Sequence, residues 1–260
     1  MANPSDIARL ALMSVGATLL WYVALSMDGL FAAPAWTRVM QGAVITLGAL
    51  ILIRLLRPRA SGCRVTLGMH DAASNLRACL LGAGLWLLPA LAGTGLCVGL
   101  GWTTIALASP PGMLIAAALP LALGVLLIEA LPEELLFRGF AQGLVDARHA
   151  AWVALLAQLL LFVVFAWAIG ALQSPWQWMF VPGFALILGY ARALSGNVWT
   201  CIGIHFAWMT TTQMLATPHV TVVGLQTLQF VAFALLPSAV IGAVLRMRRP
   251  DFDWPRVGAT

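Results

Sequence analysis

The stretch Glu129-Ala-Leu-Pro-Glu-Glu-Leu-Leu-Phe-Arg138-Gly-Phe140 sets three carboxylates and one guanidinium in a run of apolar residues otherwise suited to lipid. A charge at the centre of a bilayer costs a few kcal/mol even on lenient insertion scales, so ionisable residues there mark function by default. On a helix Glu134 and Arg138 stand four apart, acid before base, and pair along one face; Glu129 and Glu133 share that spacing on a neighbouring face. Carboxylates crowded in a low dielectric cannot all stay ionised cheaply unless Arg138 compensates, which is how one becomes a usable general base. Pro132 leaves two geometries open. It either kinks one long helix running to about Val145, keeping Glu133 inside the membrane, or opens a new helix with the glutamates at its positive end, nearer the surface.

The rest of the chain reads as housing for this stretch. Of 260 residues, 62% are hydrophobic and only 9% charged, the composition of an all-α polytopic membrane protein. Eight stretches are long and apolar enough to span: about Leu10 to Met27, Val39 to Leu56, Ala78 to Ala106, Met113 to Leu131, Trp152 to Leu172, Met179 to Leu194, Val198 to Ala216 and Val222 to Leu245. No repeat or nucleotide-binding glycine motif divides them, so residues 1–260 read as one membrane domain. Arg9, the apolar run after it and Ala32, Ala33 and Ala35 imitate a secretory signal over residues 1–35. That run is longer than a usual signal core, so a retained first span is expected.

The formal net charge of +5 comes entirely from arginine. The arginines are scattered between apolar runs and form no basic stripe, which argues against nucleic acid and for a topological role, with membrane lipid as the surrounding partner. Short cytoplasmic loops carry the arginine excess. With the N-terminus inside, Arg9, the loop 57–77, Arg148, Arg192 and the tail from Arg246 to Arg256 are cytoplasmic, and Arg38 alone falls on the other side. Both termini are then expected in the cytoplasm, with the chain in a bacterial inner membrane. Cys63, Cys79, Cys97 and Cys201 lack the spacing of a zinc site or a disulfide framework.

Glu133-Glu-Leu-Leu-Phe-Arg138-Gly-Phe resembles the E-E-x-x-x-R signature of the CPBP family, the prenyl-protein (CAAX) endopeptidases and bacteriocin-processing or self-immunity (Abi) proteins. Phe180 to Ser195, with Gly183, Gly189-Tyr190 and Arg192, is similar to the family's sixth span, and Asn197 to His205 to the helix that carries a motif histidine. The resemblance covers about 113–216. It implies a helical core in which Glu133 activates the attacking water, Glu134 and Arg138 support it, and His205 donates to a developing oxyanion, within a cavity bounded by the fourth, fifth and seventh spans. The implied substrate is a membrane-associated peptide or protein.

Two positions depart from the pattern. The F-x-x-x-H motif falls on Phe165-Ala-Trp-Ala-Ile169, and the nearby frame from Phe162 ends in Ala166. The H-x-x-x-N motif reads His205-Phe-Ala-Trp-Met209. A positioned proton-transfer group typically contributes about 10²- to 10⁴-fold, so these losses point to a reduced peptidase or to a family member kept for binding, immunity or assembly. Gln158 lies on a helical face similar to that of Ile169, about three turns away. The family's name as a metalloprotease leaves a divalent metal open, with Glu129, Glu133, Glu134 and His205 as the donors in the spans.

Overall fold

A computed structural model describes residues 4–27, 34–58 and 70–257. Within these the protein is an all-α polytopic membrane protein. Helix α1 spans Pro4–Leu25, α2 Pro34–Leu56 and α3 Ala72–Gly99; a short strand β1, Thr104–Leu107, follows. Then come α4, Pro111–Asp146; α5, Ala151–Ala168; α6, Pro175–Ser195; α7, Val198–Leu215; strand β2, Val220–Val223; and α8, Leu225–Arg248. Seven of these helices are long and apolar enough to cross a membrane. The remaining expected span, the seventh in order, is α7; it has 18 residues, but His205, Thr210, Thr211, Thr212 and Gln213 lower its hydropathy. It is screened from lipid along its first half, where Val198 and Thr200 to His205 are buried.

The expected boundaries shift where turn chemistry overrides hydropathy. The third span stops at Gly99, and Gly101, with φ of 72°, turns the chain into β1. There Thr104–Leu107 pairs antiparallel with the valine-rich Val220–Val223, in the register Thr104 to Val223 and Leu107 to Val220. Asp71 caps α3, its side chain accepting from the Ser74 N–H at 3.0 Å. Ser174 and Gln177 form a capping box at the start of α6. Much of the loop 57–77 and Cys63 lie outside the described residues; Cys79, Cys97 and Cys201 are unpaired.

Helix α4 resolves the ambiguity at Pro132 in favour of one long helix. Glu133 and Glu134 keep helical backbone, at φ −66° and ψ −44° and −38°. Two π-helical turns, Leu126–Ala130 and Glu134–Ala141, flank the proline. In the first, the Leu131 N–H reaches Leu126 O, five residues back. Pro132, next in that series, has no N–H to give to Leu127 O. Thr46 of α2 donates its hydroxyl to that carbonyl at 2.6 Å instead. The wide turns thus let a proline sit inside a spanning-length helix while the Leu127 carbonyl keeps a partner.

Two apolar cores flank α4. One gathers α1, α2, α4 and α5 around Trp21, Phe137, Phe140 and Phe165; the other gathers α3, α6, α7 and α8 around Trp86, Leu188, Ile204 and Phe233. In the second, small residues bring backbones together. A side chain on Gly82 would meet the Thr200 carbonyl, and one on Gly203 the Cys79 carbonyl, so α3 and α7 pack main chain to main chain.

Candidate active site

The acidic stretch projects between these cores. Glu134 and Arg138 are fully buried, and Arg138 Nη1 donates to Glu134 Oε1 at 2.9 Å. The guanidinium carbon sits 4.4 Å from the centroid of the Phe162 ring, and Nη2 reaches Ala185 O of α6 at 3.4 Å. His205 of α7 places Nδ1 2.8 Å from the same Glu134 Oε1. With Glu134 ionised against Arg138, it is Nδ1–H that donates. The neutral ring then presents a lone pair at Nε2, so His205 donates from that nitrogen only as an imidazolium. The expected oxyanion donor is therefore conditional on a second proton.

Glu133 points elsewhere. It is 7% exposed and, with His205, lines a cavity of about 670 Å³. The cavity is wider than the expected bound of three spans, because α1, α2, α6 and α8 also contribute to its wall. Its sides are aromatic, from Trp21, Phe162, Phe165, Trp176, Phe180, Phe184 and Trp208. Phe184 meets the His205 ring edge to face at 5.0 Å. Ile169 and Met209, the two departures from the family motifs, both line this cavity and leave it apolar where those motifs carry His and Asn.

Three amides supply contacts that the sequence left ambiguous. Gln213, one turn beyond Met209, donates to both oxygens of Glu129, at 2.8 and 3.1 Å, while Arg38 Nη2 lies 3.9 Å from Glu129 and 3.3 Å from Gln213 Oε1. Glu129 and Arg38, both on the cavity wall, thus form a second charged cluster with Gln213 behind them. Gln158 does not reach the space beside Ile169. It is fully buried and donates to Ala185 O at 3.0 Å. Gln142 donates to Gly189 O at 2.9 Å. A side chain on Gly189 would collide with Gln158, so the glycine lets α5 approach α6. Together Arg138, Gln142 and Gln158 tie α4 and α5 to the carbonyls of α6.

This arrangement does not suit a metal. The one Glu134 oxygen shared by Arg138 and His205 commits both charges to each other, and Glu129 is engaged by Gln213. Among the described residues no three of His, Cys, Asp and Glu converge as a metal site would require. His70, His149 and His219 lie in loops away from the cavity.

A comparison with curated proteins found no match. A scan against family models matched residues 115–211 to the model described as "Type II CAAX prenyl endopeptidase Rce1-like", the stretch that holds Glu129, Glu133, Glu134, Arg138 and His205. Residues 115–211 of this integral membrane protein are thus similar to the Rce1-like domain of the CPBP family.

Proposed function

We propose that the protein is an intramembrane endopeptidase that hydrolyses a peptide bond of a membrane-associated peptide or protein, using water activated by the Glu133 carboxylate. The observation that carries this reading is that Glu133 and His205 line one cavity while Glu134 holds His205 through Nδ1. Glu133 takes the proton of a water in the cavity, and the attack builds negative charge on the scissile carbonyl oxygen. His205, protonated at Nε2 and held by Glu134, stabilises that charge, and the proton that Glu133 took passes to the leaving amine as the C–N bond breaks, which restores the carboxylate. The buried Glu134 and Arg138 pair is neutral as a unit, so it orients His205 without adding net charge to the site. No metal enters these steps. The chain acts as one membrane domain in a bacterial inner membrane, with residues 113–216 as its chemical core.

Glu133→Gln keeps the size of the side chain and removes the base. It is expected to lower cleavage of a membrane-associated peptide by about 10²- to 10⁴-fold while expression and detergent-solubilised elution stay unchanged. Retained cleavage would remove Glu133 from the mechanism.

A second reading is supported by the apolar side chains of Ile169 and Met209 on the same cavity wall. In it the cavity binds a peptide, as an immunity or assembly protein would, without cutting it. Glu133→Gln then leaves peptide affinity unchanged, and no cleavage is seen in either form.

A further inference from the structure

The cavity opens at one end of the helix bundle, and contacts between distant segments fix which end. Tyr22 OH of α1 donates to Ala168 O at the end of α5 at 2.6 Å; Trp176, at the start of α6, donates to Gln229 of α8 at 3.2 Å; β1 pairs with β2. These contacts join the end of α1 to that of α5 and the starts of α6 and α8. The opposite end is tied just as clearly. Arg148, between α4 and α5, lies 2.9 Å from Asp6 of α1, Asn197 before α7 donates to Asn75 of α3 at 3.4 Å, and Ala150 bridges to Val257 of the tail.

The cavity belongs to the first end. Its exposed wall residues Leu25, Arg38 and Ala171 all stand there, whereas Glu133 and His205 at its depth are buried. The charge of the chain belongs to the second end. Apart from Arg38 and the buried Arg138, every described arginine, from Arg9 to Arg256, sits in a loop, the tail or the two terminal turns of a helix end at the face opposite the mouth. Short loops rich in arginine stay in the cytoplasm.

We infer that the cavity opens to the non-cytoplasmic side of the membrane and that its occupant is an apolar segment of a polypeptide that has already crossed that membrane. The aromatic walls suit bulky apolar side chains, and the Arg38, Glu129 and Gln213 cluster supplies polar groups beside them. A cytosolic chain terminus would have to cross the bilayer to reach Glu133; an exported one would not. The peptide nature of the occupant rests on the endopeptidase reading above, but the side of entry does not.

The test is thiol labelling with a membrane-impermeant maleimide in sealed vesicles of known orientation. The full chain is used with Cys63→Ser and Cys79→Ser, Cys97 and Cys201 being fully buried. Single cysteines are placed as Trp36→Cys at the mouth face, Thr212→Cys on the cavity wall, and Asp251→Cys at the arginine-rich face; Ala171→Cys replaces Thr212→Cys if that variant does not fold. Trp36→Cys and Thr212→Cys are expected to label an order of magnitude faster in right-side-out than in inverted vesicles, and Asp251→Cys the reverse. The inference is overturned if Trp36→Cys labels only in inverted vesicles, or if Thr212→Cys labels with Asp251→Cys or in neither orientation. Repeating the set with Glu133→Gln separates the two claims, since labelling does not depend on cleavage.

Discussion

Arg138 is a cation with no exposure to solvent, held by one glutamate oxygen, one carbonyl and one aromatic face. Removing either member of such a buried pair strands the other, at about 3–5 kcal/mol. Arg138→Met is therefore expected to lower the unfolding temperature in detergent far more than Arg38→Met, whose side chain is 50% exposed. Ile169→His tests the motif departure directly. It sets an imidazole on the wall that Glu133 shares and is expected to raise cleavage above the parent by about 10²-fold, read as initial rate on a common peptide. At this scale the spacing of the sequence carried real information: the four-residue step from Glu134 to Arg138 is the step that their hydrogen bond uses. The amides carried almost none. Gln142, Gln158 and Gln213 each have a defined acceptor, but an uncharged polar residue in a span pairs with whatever neighbour the fold provides, and only packing says which.

At the scale of elements, close backbone approach makes definite demands. Gly82→Ala and Gly203→Ala each push a methyl group into a carbonyl of the facing helix, so each should destabilise by about 1–3 kcal/mol or more. Gly84→Ala, two residues along α3 with no atom within 4 Å, should be neutral or slightly stabilising in the same thermal scan. The span pattern was legible because about twenty apolar residues between turn signals have few other fates. The continuity of α4 through Pro132 was not, since it depends on Thr46, 86 residues earlier in the chain, taking the carbonyl that the proline leaves. Nor did the sequence announce the π-helical turns, because no residue type encodes them. The pairing of β1 with β2 escaped for a related reason: 104–107 and 220–223 read as the frayed ends of spans until each finds the other.

At the scale of the molecule, the arginines foretold which loops share a face, and the contacts across the two ends agree with that grouping. The position of the cavity along the bundle axis was beyond the sequence, since its wall draws on seven helices whose lining residues share no motif. Both ends of the described chain, Pro4 and the tail at Val257, lie on the face away from the mouth, the tail anchored by Trp254 stacked 5.5 Å from Tyr190. This matters for handling the protein. A bulky soluble domain or a surface tether attached after the tail stands on the face opposite the mouth of the cavity, so the labelling rate of Thr212→Cys in micelles should match that of the untethered chain. The molecule can be immobilised by its tail with the cavity left facing solution.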